Sequence, residues 1–288
     1  MFKTLLLTTL ALFSFAGNSV LCRYALKDDI IDPSSFTAIR LASGAVFLLV
    51  LVSFKNRSTF DWRRGSWSSS FLLFLYAAAF SFSYVTLDTG TGALILFGSV
   101  QVTMVLMSLF KGKMLLPSEW IGLIVAFSGL AILLIPSATA PTVSGFIFMA
   151  VSGISWGFYT LAGRHSAQPL ADTANIFLRS LAFIVVLVFF NLGSAKITED
   201  GIVLAVISGA ITSGLGYAIW YSALAGLSLS QAAIFQLTVP MIAAFGGVIF
   251  SNEAITTQLA IASLLILGGV LVVTLGQKYT RLPLKKTP

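Results

Sequence analysis

Strongly polar side chains are scarce in the apolar stretches of this 288-residue chain, so the few present define what chemistry it can do. Arg40 and Arg179 each stand early in such a stretch. An arginine there either grips a carboxylate with its bidentate fork or bonds helix-end carbonyls and snorkels toward an interface. We read the pair as structural or gating groups. Asn18 lies mid-stretch beside Gly17 and Ser19, where an amide bonds a solute or a neighbouring helix. Gln101 and Gln236 have the same character. Gln236 precedes Pro240 by four residues, and a helical proline frees a carbonyl through its missing N–H and its ring. Asp88 and His165 stand at the ends of apolar stretches and are the candidates for proton coupling, histidine titrating near neutral pH.

Polar-tipped aromatics form the second set. Tyr76, Phe80 and Tyr84 recur every four residues, on one helix face. Trp156 and Tyr159 follow at i, i+3, then Tyr217, Trp220 and Tyr221, with Phe15 and Phe97 from other stretches. An aromatic face of this kind packs a core or stacks on an amphipathic solute, with cation–π attraction available to an ammonium. With one histidine, one cysteine and no carboxylate central in an apolar stretch, there is no constellation for an intramembrane enzyme. Neither a metal nor a cofactor is implied.

These residues sit on elements long enough to span a bilayer. The chain is 57% hydrophobic and 9% charged, with mean hydropathy +0.97, against about 25% charged in a soluble domain. The apolar stretches fall at 3–23, 34–53, 68–87, 91–110, 118–136, 143–163, 172–192, 202–223, 228–250 and 256–276. About 20 apolar residues cross the hydrocarbon core as a helix. Continuous runs exclude a β-barrel, whose segments alternate. The expected fold is all-α, with ten transmembrane helices. The first stretch also has the form of a secretory signal peptide, LLLTTLALFSFAG after Lys3. Its counterpart in the second half, where Gly17 falls near Gly157, places it with the spanning helices.

The stretches form two runs of five that align at an offset of about 139 residues. Arg40 meets Arg179, Ala93 and Ile95 meet Ala232 and Ile234, and Gly129 meets Gly268. An odd number of crossings inverts the second copy. Residues 1–137 are thus expected as one five-helix repeat and 143–277 as its inverted mate around a central cavity, the arrangement of secondary transporters. Residues 278–288 form a basic tail. Placing the N-terminus in the cytoplasm collects Lys3, Lys55, Arg57, Arg63, Arg64, Lys111, Lys113, Arg164, Lys278, Arg281, Lys285 and Lys286 on that side, and leaves Arg23, Lys27 and Lys196 opposite. The positive-inside bias puts both termini in the cytoplasm, in a plasma or inner membrane. The net charge of +7 is therefore topological and calls for no nucleic-acid partner. The partners implied are a small-molecule solute and the lipid bilayer.

The stretch FQLTVPMIAAFGGVIFSNEAITTQLAIASLLILGGVLVV, with Pro240, Glu253 and Gly268-Gly269, resembles the fourth-to-fifth helix signature of the drug/metabolite transporter superfamily, in its ten-helix EamA-like branch. The first-half counterpart has no helical proline and carries Lys113 near the acid's place. The resemblance implies a basket in which the first four helices of each half line the cavity and the fifth serves packing or dimer contact. Length and aromatic content most resemble amino-acid exporters of the YddG type. By that resemblance the chain exports aromatic or other amphipathic amino acids or related metabolites by alternating access, as a facilitator, the alternative being a proton-coupled antiporter of drugs or other metabolites. Tyr84, Trp156, Tyr159, Trp220, Asn18, Gln101, Gln236, Phe97 and Tyr217 would line the cavity. Gly90 and Gly92, in a tight connection, would join Arg40, Arg179 and Pro240 in gating.

Overall fold

The computed structural model describes residues 2–55, 64–110, 116–135, 141–163, 166–191, 193, 195–227, 232 and 235–280. Ten helices are numbered among them: α1 (Phe2–Lys27), α2 (Pro33–Lys55), α3 (Trp67–Tyr84), α4 (Thr89–Phe110), α5 (Pro117–Leu133), α6 (Val143–Gly163), α7 (Pro169–Asn191), α8 (Glu199–Leu224), α9 (Val239–Ser251) and α10 (Thr257–Thr280). No strand occurs among the described residues. A helix is what apolar runs of this length must form in lipid, because it satisfies every interior backbone group within the segment. The starts are signalled locally. Pro33, Pro117 and Pro169 open α2, α5 and α7, where a missing N–H costs nothing. Asp32 accepts from the amides of Ser34 and Ser35 at 3.0 and 2.9 Å, and Thr198 accepts from Gly201 at 3.1 Å.

Short connections make successive helices antiparallel, which defines two faces. Thr4 meets Gly226, Arg64 pairs with Asp172 at 2.8 Å, and Ser118 meets Gly276 on the face carrying the N-terminus, here the near face. On the far face Lys27 Nζ donates to the Ser251 carbonyl at 2.8 Å, and Lys196 Nζ to Asp29 at 2.6 Å. There too the Thr86 and Thr142 hydroxyls pair at 2.8 Å, and Gln258 Nε2 donates to the carbonyls of Ile132 and Ile135 at 2.7 and 3.1 Å.

The packing repeats when the first five helices are exchanged for the last five. α1 packs on α8 and α9, as α6 packs on α3 and α4. α3 lies on α7 as α8 lies on α2, and α2 pairs with α7, α4 with α9, α5 with α10. α5 and α10 are held backbone to backbone: a Cβ at Gly269 would lie 2.5 Å from the Gly122 carbonyl oxygen. The fifth helices thus pack on each other within one chain. α8 is wound as a π-helix over Ser208–Leu215, a local widening often found at functional sites. There a Cβ at Gly209 would overlap the Arg40 carbonyl, so α2 and α8 touch through their backbones.

Two expectations change. Pro240 does not kink a continuous ninth helix: the chain turns at Leu237–Thr238 and Pro240 sits in the first turn of α9. Gly90 and Gly92 lie in the first turn of α4 rather than in the connection, because α3 stops at Tyr84 and leaves 85–88 to turn the chain. At Gly90 a Cβ would press on Ala244 of α9, and at Gly92 it would strike the Tyr84 ring. His165 and Ile234 lie outside the described residues.

Candidate functional site

The centre of the bundle is polar and joins both halves. Arg40 is 1% exposed. Its Nε donates to Ser213 Oγ at 3.0 Å, and its Nη2 to Tyr76 and Tyr217 OH at 3.3 and 3.1 Å. The guanidinium also lies over the rings of Tyr76 and Phe80, 5.4 and 5.0 Å from their centroids. Tyr217 donates to Tyr76 at 3.1 Å. Asn18 Oδ1 accepts from Ser208, Thr212 and Ser213 at 2.7, 3.3 and 3.4 Å, and its Nδ2 donates to Tyr76 OH at 3.4 Å. The π-helical turn is what lines up those three hydroxyls. Arg179 is separated from its repeat mate: half-buried on α7, its guanidinium lies 5.7 Å from the Trp67 ring centroid.

Around this centre the aromatics form a connected stack. Trp156, 3% exposed, is its hub. It meets Tyr217 at 4.7 Å between centroids, Tyr76 at 4.8 Å, Tyr159 at 5.3 Å and Phe15 at 5.8 Å. Phe15 continues to Trp220 at 5.5 Å, and Tyr159 to Tyr221 at 6.1 Å. In the other direction Tyr76, Phe80 and Tyr84 ladder along α3 at 5.5 and 4.7 Å. The expected residues Asn18, Trp156, Tyr159, Tyr217 and Trp220 thus come together. Tyr84 sits at the far-face end of the ladder, its hydroxyl donating to the Thr89 carbonyl at 3.2 Å.

A cavity of about 170 Å³ lies between the near-face ends of α6, α7 and α8. Thr160, Trp220, Tyr221 and Gln236 line it, with Met104 from α4. Trp220 Nε1, Gln236 Nε2 and Thr160 Oγ1 are buried there and find no hydrogen-bond partner among the described residues. Buried N–H and O–H groups are ordinarily satisfied, so a set of orphans on one cavity wall awaits a polar ligand or water. Gln101 does not belong to this set: it faces the seam of α4, α5 and α10 beside Gly122 and Val270. Phe97 is buried in the apolar core on α4.

A largely buried ion-pair network ties the far face together. Arg23 of α1 donates from Nε to Glu253 Oε1 at 3.1 Å, from Nη2 to Asp88 Oδ1 at 3.2 Å, and from Nη1 to the carbonyls of Tyr84 and Val85, both at 3.0 Å. Glu253 Oε2 accepts from the Thr89 amide at 2.8 Å. Arg23 and Glu253 are 8% and 7% exposed in their side chains, Asp88 41%. Gly247 leaves room for the carboxylate: a Cβ there would overlap Glu253 Oε2. This latch ties α1 and the α3–α4 connection to the α9–α10 connection. Asp88 is therefore one of two acids on Arg23.

The comparisons with known proteins bear on this arrangement. The model of the EamA-like transporter family matches the chain twice, over residues 2–135 and 143–275. The chain belongs to this family. It is 49% identical over 268 residues to an uncharacterized protein of Pseudomonas aeruginosa, covering 93% of each. It is 24% identical over 298 residues to an uncharacterized transporter of Archaeoglobus fulgidus, covering 96% of this chain and 98% of that one. To the uncharacterized transporter YwfM of Bacillus subtilis it is 26% identical over 261 residues, 87% of each. A solved crystal structure superposes with a TM-score of 0.68 at 18% identity, covering 96% of this chain and 98% of the other, which shows a shared fold. As an EamA-like transporter the chain is a multi-pass, ten-helix membrane protein.

Sequence reading missed Arg23, Ser208, Thr212 and Ser213 as site residues. The SGAITSG run of hydroxyls and glycines at 208–214 was the available signal for the last three. Arg23 gave none, because its acids are 65 and 230 residues away in the chain.

Proposed function

We propose that this EamA-like transporter moves amphipathic metabolites, amino acids foremost, out of the cell by alternating access across the inner membrane. The observation carrying this reading is the asymmetry along the bundle axis. A cavity with orphan polar groups and the rings of Trp220 and Tyr221 on its wall lies at the near face, and a buried ion-pair latch ties the far face together. The two-fold repetition of the packing and the double family match support two inverted repeats, 1–137 and 143–277, rocking about the centre between them. The basic residues favour the near face, both termini and the 278–288 tail as cytoplasmic. Solute enters past Gln236 and Trp220, stacks among Phe15, Trp156 and Tyr217, and leaves when the Arg23 latch parts. No acid is among the described residues that line the cavity, which favours a facilitator.

Uptake into proteoliposomes tests this, with phenylalanine, leucine, threonine, a cationic dye and a nucleotide sugar, each with and without a pH gradient. The expected result is saturable flux of phenylalanine or leucine, indifferent to pH. Proton-driven flux of the dye alone would overturn the amino-acid reading.

A further inference from the structure

Two arginines are buried among the described residues, and they are held differently. Arg23 holds two carboxylates, whereas every partner of Arg40 is neutral: a serine hydroxyl, two phenols and two ring faces. A guanidinium has five N–H donors. Three of Arg40's contacts use Nε and Nη2, and Nη1 is buried with no hydrogen-bond partner. A cation held within a membrane-spanning helix is costly unless an anion compensates it. The described residues offer none there. Its described acids, Asp28, Asp29, Asp32, Asp88, Glu119, Asp172, Glu199, Asp200 and Glu253, lie in connections or first helical turns, and Asp61 lies outside the described residues. Among the described residues, then, nothing supplies the compensating anion.

We infer that Arg40 Nη1 binds a carboxylate of the transported solute and that the site does not require an α-amino group. This rests on the transport reading and narrows its substrate class. Arg40 lies two rings beyond the near-face cavity: its partner Tyr217 packs on Phe15, at 5.9 Å between centroids, and Phe15 packs on the cavity wall residue Trp220. A solute stacked among these rings reaches Nη1 with its acid end. One free guanidinium edge matches a monoanion. A phosphate dianion asks for a second cation, and the other buried arginine is already neutralised by Asp88 and Glu253. The same absence of acids leaves a substrate ammonium with only ring faces and neutral oxygens, so the ammonium is tolerated and not read.

The test is binding to the purified full-length protein, by calorimetry or thermal shift. The probes are 3-phenylpropionate, its neutral amide, phenylalanine, phenylalaninamide and phenyl phosphate. Both acids are expected to bind about 10- to 100-fold more tightly than their amides, the range of one charge-assisted hydrogen bond set. Arg40→Gln should bring the acids to the amide level, and Arg40→Lys should restore part of the gap. If Arg40→Gln fails to fold, the acid-to-amide ratio of the unaltered protein decides alone. Equal binding of acid and amide, or no binding by either acid, overturns the carboxylate site, and tighter binding of phenyl phosphate does the same. Phenylalanine binding without 3-phenylpropionate binding overturns the optional amino group. The measurement needs no translocation: acid binding without flux in proteoliposomes sinks the transport reading alone, whereas phenylalanine flux with equal binding of acid and amide sinks this one alone.

Discussion

Glu253→Gln opens the far face. The substitution keeps the shape and one acceptor for the Thr89 amide but removes the charge facing Arg23, whose second acid, Asp88, is partly exposed to solvent. Removing one partner of a buried ion pair costs about 3–5 kcal/mol. The cost falls on the closed far face, where the pair exists, and not on the open one. At about 1.4 kcal/mol per factor of ten, the closed-to-open ratio drops by at least about 100-fold. The check is a Ser251→Cys reporter in a Cys22→Ser background, labelled from the far face by a membrane-impermeant maleimide. Ser251 is 4% exposed and its carbonyl is tied to Lys27. Labelling should accelerate by about two orders of magnitude with Glu253→Gln, and Arg23→Gln should act the same way. The double variant should be less disturbed than the two single effects combined, because each alone strands a charge. An unchanged labelling rate would show that the network staples the far face without gating it.

Trp156→Ala should remove both stability and solute affinity. Trp156 touches one ring from each of three other helices, Phe15 of α1, Tyr76 of α3 and Tyr217 of α8, and Tyr159 on its own helix, so its loss removes the ring contacts that tie α6 to α1, α3 and α8. Truncating a buried tryptophan costs about 3–5 kcal/mol through lost transfer energy and the cavity left behind. Thermal unfolding in detergent measures that part. The functional part is read in the surviving folded fraction: affinity for phenylalanine should fall at least tenfold, at about 1.4 kcal/mol per decade, with Trp156→Phe in between. Tyr84→Phe, at the latch end of the ladder, should leave affinity near the parental value, since its hydroxyl bonds the Thr89 carbonyl at the far face, away from the near-face cavity. Parental affinity in folded Trp156→Ala would make the aromatic stack mere packing.

The helices were legible because each is a continuous apolar run bounded by proline, capping residues or charge. Boundaries shifted where local chemistry overrode the run, as at Pro240, which proline's freedom in a first turn makes a start instead of a kink. The aromatic stack was legible from the four-residue recurrence on α3 and its echo on α6 and α8. The unequal fates of Arg40 and Arg179 were not read, although the means were present. Arg40's partners Tyr76, Ser213 and Tyr217 correspond, at the repeat offset, to Leu215, Phe74 and Ala78, none with a hydroxyl. The hydroxyls around Arg40 are therefore not repeated in the sequence at the repeat offset, and the symmetry of sequence did not extend to the site. Gln101 was misassigned to the cavity because its span position fixes depth and leaves the helix face open. The Arg23 latch joins residues far apart in the chain, and no local pattern encodes such a pairing.

Counterflow in proteoliposomes is the decisive measurement. Vesicles loaded with unlabelled phenylalanine and diluted into a trace of labelled phenylalanine distinguish a site that alternates between faces from an open pathway. An alternating site carries label inward against its own gradient, producing a transient overshoot that Glu253→Gln diminishes and Arg40→Gln abolishes. Label that rises monotonically to equilibrium would mean a pore, and no protein-dependent entry of any carboxylate would contradict the assignment of this centre to transport.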